Sequence, residues 1–387
     1  MLPQSPKEKR YGFIKNVSFI STVFNEEKTI AGFLKSFFEQ GYLPEEMIFV
    51  DGGSKDRTAD ILRDFFLNKI KSDFGLKSSE NSNDNFKLNT EGSVKLISSF
   101  EVKFCGENNE NNFKLSVKLL QKNNTGISEG RNIAIRNANC EIICASDAGC
   151  VLDKNWIYEI TKFILSNIKA ENNENTAMVY DVAGGYSRPI AISFMEKILS
   201  MCIMPQLKEI KPEKFMPSSR NISFRKSAWE KAGCYPENLD YGEDMKFNFN
   251  LKNEGYNIRF NPDAVVFWRM RENIVLVFKQ FFRYAKGDAK GEMYPCRHLI
   301  RFLSVFDFAV VLAISIIFSP WFLLLYVPFF AAYVFKPFSR VNITFKHQKN
   351  SIDRFFVKIA ALFFAPAMLI YIDIAKMAGY IFGLVKR

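Results

Sequence analysis

Apolar and polar positions alternate along residues 17–24, the period of a strand, and the spacing then turns helical over residues 26–40, with Ile30, Phe33, Leu34, Phe37 and Phe38 on one face. A short apolar run, Met47-Ile48-Phe49-Val50, ends at Asp51, and helical spacing resumes over residues 57–68. This β-α-β-α opening predicts a mostly parallel sheet with helices on both faces. The pattern continues as a strand at 117–120, a helix at 128–139, a second buried run Ile142-Ile143-Cys144-Ala145 running into Ser146-Asp147, and a helix from Trp156 to position 169. Residues 180–188 read as a strand, and 227–233 and 244–255 as short helices. No Gly-x-Gly-x-x-Gly follows the first strand, so the dinucleotide-binding fingerprint is absent.

Two regions break this rhythm. Residues 68–115 are rich in Asn, Ser, Lys and Glu, with strand-like pieces at 94–104 that predict a hairpin. Such a stretch reads as a partly disordered surface segment or as an acceptor-binding lid. From 273 to 287 the chain places Lys279, Arg283, Lys286 and Lys290 at helical spacing against Val275, Phe278, Phe281, Phe282 and Ala285. That is the composition of a helix lying in a bilayer interface, with a core-packed amphipathic helix as the alternative.

Residues 302–335 are apolar except for Asp307, too long for one ordinary span, and carry Pro320 and Pro328. Arg297 and Arg301 precede the stretch and Lys336, Arg340, Lys346, Lys349 and Arg354 follow it. Short basic flanks stay cytoplasmic, which predicts a two-pass hairpin turning near Pro320, with a re-entrant hairpin as the alternative. Residues 355–372 form a third apolar segment, whose continuation Asp373 and Lys376 interrupt, leaving open whether it spans or lies flat.

Composition narrows the partners. Lys and Arg number 52 against 41 Asp and Glu, a net charge of +11, and much of the excess flanks the apolar tail. With no nucleic-acid-binding signature alongside, the excess fits an anionic membrane surface better than nucleic acid. Seven cysteines, an odd number without a Cys-x-x-Cys pair, fit a reducing compartment and neither disulfides nor zinc. The two histidines, His298 and His347, are remote in sequence from every acidic motif, which argues against a His-ligated metal. Residues 1–15 lack the apolar core of a signal peptide, so the catalytic part is expected in the cytoplasm.

Three acidic clusters carry the chemistry: Val50-Asp51-Gly52-Gly53-Ser54-Lys55-Asp56, Ala145-Ser146-Asp147-Ala148-Gly149-Cys150 and Tyr241-Gly242-Glu243-Asp244. Ligands of open α/β sheets sit beyond the carboxyl ends of strands, so Asp51 and Asp147 are expected to point into one crevice. The Glu243-Asp244 pair, in a turn-rich stretch, suits a general base, since adjacent carboxylates repel and raise the pKa of one of them. Favourable charges at a helix N-terminus are the simpler alternative.

With Ser21-Thr22-Val23-Phe24-Asn25-Glu26-Glu27, Gly126-Ile127-Ser128-Glu129-Gly130-Arg131-Asn132, Arg220-Asn221-Ile222-Ser223-Phe224-Arg225 and Gly233-Cys234-Tyr235-Pro236-Glu237, these clusters make an ordered set over residues 17–290. That set resembles glycosyltransferase family 2, the inverting nucleotide-sugar enzymes with a GT-A fold. The resemblance implies an α/β, Rossmann-like catalytic domain at 17–272 after an N-terminal tail at 1–16, with residues 68–115 containing an insertion. An interface-helix region at 273–301 and C-terminal membrane helices at 302–387 would follow.

It also implies site roles. Thr22, Asn25, Glu26 and Asp51 wall the nucleotide, and Arg131 pairs with the nucleotide or its phosphates. Asp147 is the first carboxylate of the family's Asp-x-Asp motif, which binds Mg²⁺ or Mn²⁺ on the diphosphate; here Gly149 replaces the second. Asp244 is the expected base, with Glu243 orienting it or contacting the acceptor, and Asp56 and Thr58 cap the following helix. Arg220 and the sequence Gln280-Phe281-Phe282-Arg283-Tyr284, similar to the Gln-x-x-Arg-Trp motif of processive synthases, would serve acceptor or diphosphate.

The expected activity is transfer of a single sugar from a nucleotide-sugar to a hydroxyl of a lipid-linked or cell-surface glycan at the inner membrane. The alternatives are a polyprenyl-phosphate glycosyltransferase, a processive polysaccharide synthase and a non-catalytic membrane scaffold.

Overall fold

The computed structural model describes residues 10–80, 93–105, 112–171, 180–345 and 351–386. The chain divides into two compact units, Met1–Arg188 with Lys211–Trp268, and Pro189–Ile210 with Arg269–Arg387.

The first unit is built on β1 (Gly12–Val23), β2 (Tyr42–Asp51), β3 (Lys77–Glu80), β4 (Lys95–Cys105), β5 (Asn112–Gln121), β6 (Ile142–Ala145), β7 (Cys150–Leu152), β8 (Val182–Ile190), β9 (Ile222–Arg225) and β10 (Ile258–Arg269). Among the described residues these form one mixed sheet in the order β3-β4-β5-β2-β1-β6-β9-β8-β10-β7. Parallel pairing is confined to its centre, β5-β2-β1-β6, and antiparallel pairs flank it on both sides. Alternation along the central strands divides two cores. Phe19, Met47 and Phe49 face one layer; Ile20, Ile48 and Val50 face the other. A sheet buried on both faces is what near-continuous apolar strands require.

Helices α1 (Ile30–Phe38), α2 (Thr58–Asp64) and α3 (Ile70–Phe74) lie between the early strands, α2 and α3 being joined by a π-turn at Phe65–Lys69. The helix predicted from residue 26 starts only at Ile30, because Asn25 takes φ 55° and the Glu26 amide donates to Thr58 Oγ1 at 2.7 Å, pinning residues 25–29 as a loop. Helices α4 (Ile127–Arg136), α5 (Trp156–Glu171), α6 (Phe194–Ile203), α7 (Lys226–Lys231) and α8 (Glu243–Asn253) follow.

The polar stretch at 68–115 is more integral than a surface segment. Its predicted strand is β4, paired with β3 on one side and β5 on the other. Phe100, Val102 and Phe104 are buried, and the Phe100 ring stacks on Phe66 at 5.5 Å. Alternate apolar residues inside a polar composition made this a core strand; the remainder, 81–92 and 106–111, lies outside the described residues.

Composition also hid a buried ion pair. Glu46 and Lys118 meet at 2.5 Å with side chains almost fully buried. Glu46 further accepts from Ser18 Oγ and from the Asn139 backbone and side chain, and Lys118 donates to the Asn137 carbonyl. The pair survives burial because these bonds satisfy both partners.

The second unit contains α6 with α9 (Ile274–Lys290), α10 (Pro295–Ile317), α11 (Tyr326–Thr344) and α12 (Ser351–Val385). By length and composition, Pro295–Ile317, Pro320–Thr344 and Phe355–Val385 are each long and apolar enough to cross a membrane. The predicted reversal near Pro320 is a 3-10 turn at Pro320–Leu325 between α10 and α11. Asp373 and Lys376 do not interrupt α12. The Asp373 carboxylate accepts from Arg301 Nε at 2.7 Å and from the Tyr333 hydroxyl at 2.6 Å, so the charge is compensated inside the helix bundle.

The amphipathic α9 packs on α12 through bare backbone. A Cβ at Gly379 would lie 2.1 Å from the Phe282 carbonyl oxygen, and one at Gly383 would lie 2.7 Å from the Lys286 carbonyl oxygen. Small residues four apart permit this approach; Phe281 and Ala285 of the apolar face of α9 are buried, whereas Val275 at its start is exposed.

Candidate active site

The crevice is assembled at the carboxyl ends of β1, β2 and β6 and the start of α4. Helix α4 approaches β1 because residue 130 is glycine: a Cβ there would sit 2.8 Å from Thr22 Cγ2. The approach places Arg131 and Asn132 one turn into α4. Asn132 donates to the Tyr235 carbonyl and Glu237 and accepts from Trp229 Nε1 and the Tyr235 amide. The Gly-Arg-Asn and Gly-Cys-Tyr-Pro-Glu motifs are therefore two halves of one joint.

Arg131 is the centre of the site. It is buried, donates to Glu243 at 2.7 Å and to Asp147 at 3.1 Å, and lies over the Tyr235 ring at 5.4 Å. The two carboxylates hold its guanidinium charged despite burial. Arg220 approaches Asp147 from the other side, Nε to Oδ2 3.7 Å, with its guanidinium 3.9 Å from the centre of the Trp268 ring. Trp268 was not singled out in the sequence; its place at the end of a strand that does not end in an acidic motif gave no signal.

Glu243 and Asp244 begin α8 after Gly242, which takes φ 79°. They are not equivalent. Glu243 is buried, and burial followed by repulsion from Asp244 raises its pKa above the ordinary carboxylate value, with Arg131 opposing. The upward shift expected of one member of the pair thus falls on the residue clasped by Arg131. Asp244 is half-buried and accepts from the Met245 amide at 2.8 Å.

Asp51 differs from the expectation of a carboxylate facing the crevice. It is fully buried, with Oδ1 accepting from the Ser54 amide at 3.0 Å and hydroxyl at 2.6 Å and Oδ2 accepting from Gln121 at 2.9 Å. Its neighbours consume it: the carboxylate shapes the turn in which Gly53 takes φ 89°. Asn25 Oδ1 accepts from the Lys55 amide and the Asn25 amide donates to Ser54 Oγ, linking the β1 and β2 ends. Asp56 accepts from the Thr58 amide and hydroxyl at the start of α2, as expected of a capping pair. Phe24, overlooked as an individual residue, is 57% exposed beside Gly52.

The family resemblance implies a divalent cation, and two carboxylates bear on the fit. Asp147 is about one-third exposed. A Cβ built at Gly149 would lie 3.9 Å from each carboxylate oxygen of Glu26, so Glu26 stands where a side chain at 149 would project. Among the described residues no group of three or more His, Cys, Asp or Glu side chains forms a complete protein cage. One or two carboxylates completed by phosphate oxygens and water are the usual environment of Mg²⁺, and these residues fit that pattern.

Gln280, Arg283 and Tyr284 lie on α9 in the second unit. Gln280 donates to the Tyr284 hydroxyl at 3.0 Å and accepts from Arg271 Nε at 3.3 Å, a local network one turn long.

Known proteins place this architecture among sugar-transferring enzymes. The glycosyl transferase family group 2 model matches residues 151–374, the glycosyl transferase family 2 model matches residues 18–83, and the chain belongs to this family of glycosyltransferases. It is 24% identical over 280 residues to the poly-beta-1,6-N-acetyl-D-glucosamine synthase of Staphylococcus epidermidis, covering 71% of this chain and 55% of that protein. The synthase of the same name from Staphylococcus aureus is 22% identical over the same span. The chain spans about half the length of these curated relatives. Among solved structures, the mannosyltransferase PcManGT of Pyrobaculum calidifontis with GDP-Man and Mn²⁺ aligns over 97% of this chain and 89% of its own, with TM-score 0.46 and 13% identity. S. aureus TarS 1-349 with UDP-GlcNAc aligns over 96% and 90%, with TM-score 0.42 and 17% identity.

Proposed function

We propose that the protein transfers a single sugar, with inversion, from a nucleotide-sugar to a hydroxyl of a lipid-linked or cell-surface glycan at the cytoplasmic face of the inner membrane. The observation that carries this reading is the Arg131 clasp, which joins the strand-end carboxylate Asp147 to the Glu243-Asp244 turn. Donor-binding and base-bearing segments, far apart in sequence, thereby share one charged centre. With Glu243 committed to Arg131, Asp244 is the carboxylate left to take the acceptor proton.

The acceptor oxygen bonds to the anomeric carbon from the face opposite the leaving group. The proton passes to Asp244, and the nucleoside diphosphate departs with the bonding pair. Arg131 and Arg220 face the diphosphate, and guanidinium forks suit phosphate oxygens. Thr22, Asn25, Glu26 and Phe24 line the nucleotide side, and Asp51 fixes the shape of the adjoining turn. A divalent cation beside Asp147 supplies positive charge for the departing diphosphate when bound.

A processive synthase is the second reading, favoured by relatives named for polymer synthesis and by the Gln280, Arg283, Tyr284 motif on α9. A polyprenyl-phosphate acceptor, already ionised, would need no base, so dependence on Asp244 separates it. The test is full-length protein in detergent offered a panel of nucleotide-sugars, with nucleoside diphosphate release as readout. Release from one donor, lost in Asp244→Asn, supports the reading; no turnover of any donor overturns it.

A further inference from the structure

The Asp-Ala-Gly sequence at 147–149 has a vacant second position, and the structure shows what fills the space. Glu26, at the end of β1, directs both carboxylate oxygens to 3.9 Å from where a Cβ of residue 149 would stand. Cys150 closes the 147–150 turn, its amide donating to the Asp147 carbonyl at 3.0 Å, and Gly149 inside that turn is the residue that Glu26 faces. Glu26 is anchored from the far side: its amide donates to Thr58 Oγ1, and its carboxylate accepts from the Thr29 hydroxyl.

We infer that Glu26 supplies, from the end of β1, the second carboxylate for a divalent cation held with Asp147 on the donor diphosphate. The carboxylate missing at 149 has been replaced across the crevice. This assignment rests on the nucleotide-sugar reading of the site. The absence of a carboxylate at 149 then has an electrostatic reason, because an aspartate there would set its charge against Glu26.

The test uses full-length protein in detergent and Mn²⁺ as probe, followed by electron paramagnetic resonance with UDP or GDP present. UDP and GDP binding in EDTA is measured separately. Glu26→Gln, which preserves the acceptor for Thr29, is expected to weaken Mn²⁺ by roughly tenfold or more, since even supporting groups of a metal site cost 10 to 100-fold when removed. In EDTA the variant should lose less nucleotide affinity than it loses Mn²⁺ affinity, because a pure nucleotide-wall role would move the two together. Glu26→Ala/Gly149→Asp, which returns the carboxylate to the other side, is expected to regain most of the Mn²⁺ affinity that Glu26→Ala loses. Unchanged Mn²⁺ affinity in Glu26→Gln, with loss in Asp147→Asn, overturns the assignment. So does a double variant no better than Glu26→Ala. Failure of the wild type to bind either nucleotide overturns the nucleotide reading itself.

Discussion

Arg131 donates to Glu243 at 2.7 Å across 112 residues of chain. With the same guanidinium also on Asp147, one cation holds two motifs in register. Removing it leaves two carboxylates facing each other in a buried site. Arg131→Met should therefore lower unfolding free energy by about 3–5 kcal/mol, the usual cost of breaking a buried pair from one side. Denaturant titration of the detergent-solubilised chain checks this; a loss within 1 kcal/mol, roughly the worth of an exposed pair, would show that the clasp is only a surface contact.

The elevated pKa of Glu243 has a pH consequence of definite sign. Between the unfolded value near 4.5 and the higher folded value, the folded state holds more of the proton. Stability from this group is present at low pH and is lost as pH rises through that window. Glu243→Gln should flatten this descent, and Arg131→Met should steepen it by removing the charge that favours the carboxylate. Unfolding curves from pH 4 to 8 (about the range in which shifted carboxylates titrate) provide the comparison. A wild-type profile that rises through the window more than that of Glu243→Gln would refute the assignment.

Asp244→Asn should reduce transfer by about 10² to 10⁴-fold while leaving nucleotide affinity intact, the range for loss of a general base. Diphosphate release and calorimetric nucleotide titration measure the two quantities separately. Transfer within about tenfold of wild type would remove Asp244 from the chemistry, and would favour an ionised phosphate acceptor.

Asp51→Ala should cost stability as well as nucleotide affinity, because Ser54 and Gln121 lose a buried acceptor, a change worth about 1–3 kcal/mol. Asp56→Ala should lower stability by less and leave the nucleotide unaffected, since its bonds serve only the start of α2 and the Glu27 amide. Thermal unfolding with and without nucleoside diphosphate separates these effects. Equal nucleotide affinity in both variants would confine Asp51 to the turn.

Gly379→Leu should destabilise the second unit by about 1–3 kcal/mol, an overpacking cost, because the side chain meets the α9 backbone rather than a movable neighbour. Gly32→Ala, on the open face of α1, should be neutral or stabilising by up to about 1 kcal/mol from helix propensity. A Gly379→Leu protein as stable as Gly32→Ala would show that α9 and α12 do not pack this closely.

Much of this arrangement was legible in the sequence because period and motif reported the same thing. The β1-α1-β2 opening and the strand into Asp147 declare themselves by where apolar residues stop, and the break at Pro320 by an apolar run too long for one span between basic flanks. What composition concealed was compensation. Nothing in the sequence marks Glu46 and Lys118 as a pair, and Asp373 reads as an interruption, because a partner's location is a property of the fold. The bonds of Asp51 were hidden for the same reason: a strand-end aspartate looks identical in sequence with or without Ser54 and Gln121 on its carboxylate. Gly149 looked like a loss because the carboxylate beside it comes from residue 26.

The strands at the two ends of the sheet are short, β3 with four residues and β7 with three. A long exposed edge offers unpaired amides and carbonyls as a template on which another chain can add a strand. Outer strands this brief are themselves poor templates, and β3 carries Lys77 and Glu80 at its ends. For a protein whose apolar helices would concentrate it in two dimensions, short charged outer strands are the kind that lower the chance of crowded neighbours fusing along their edges.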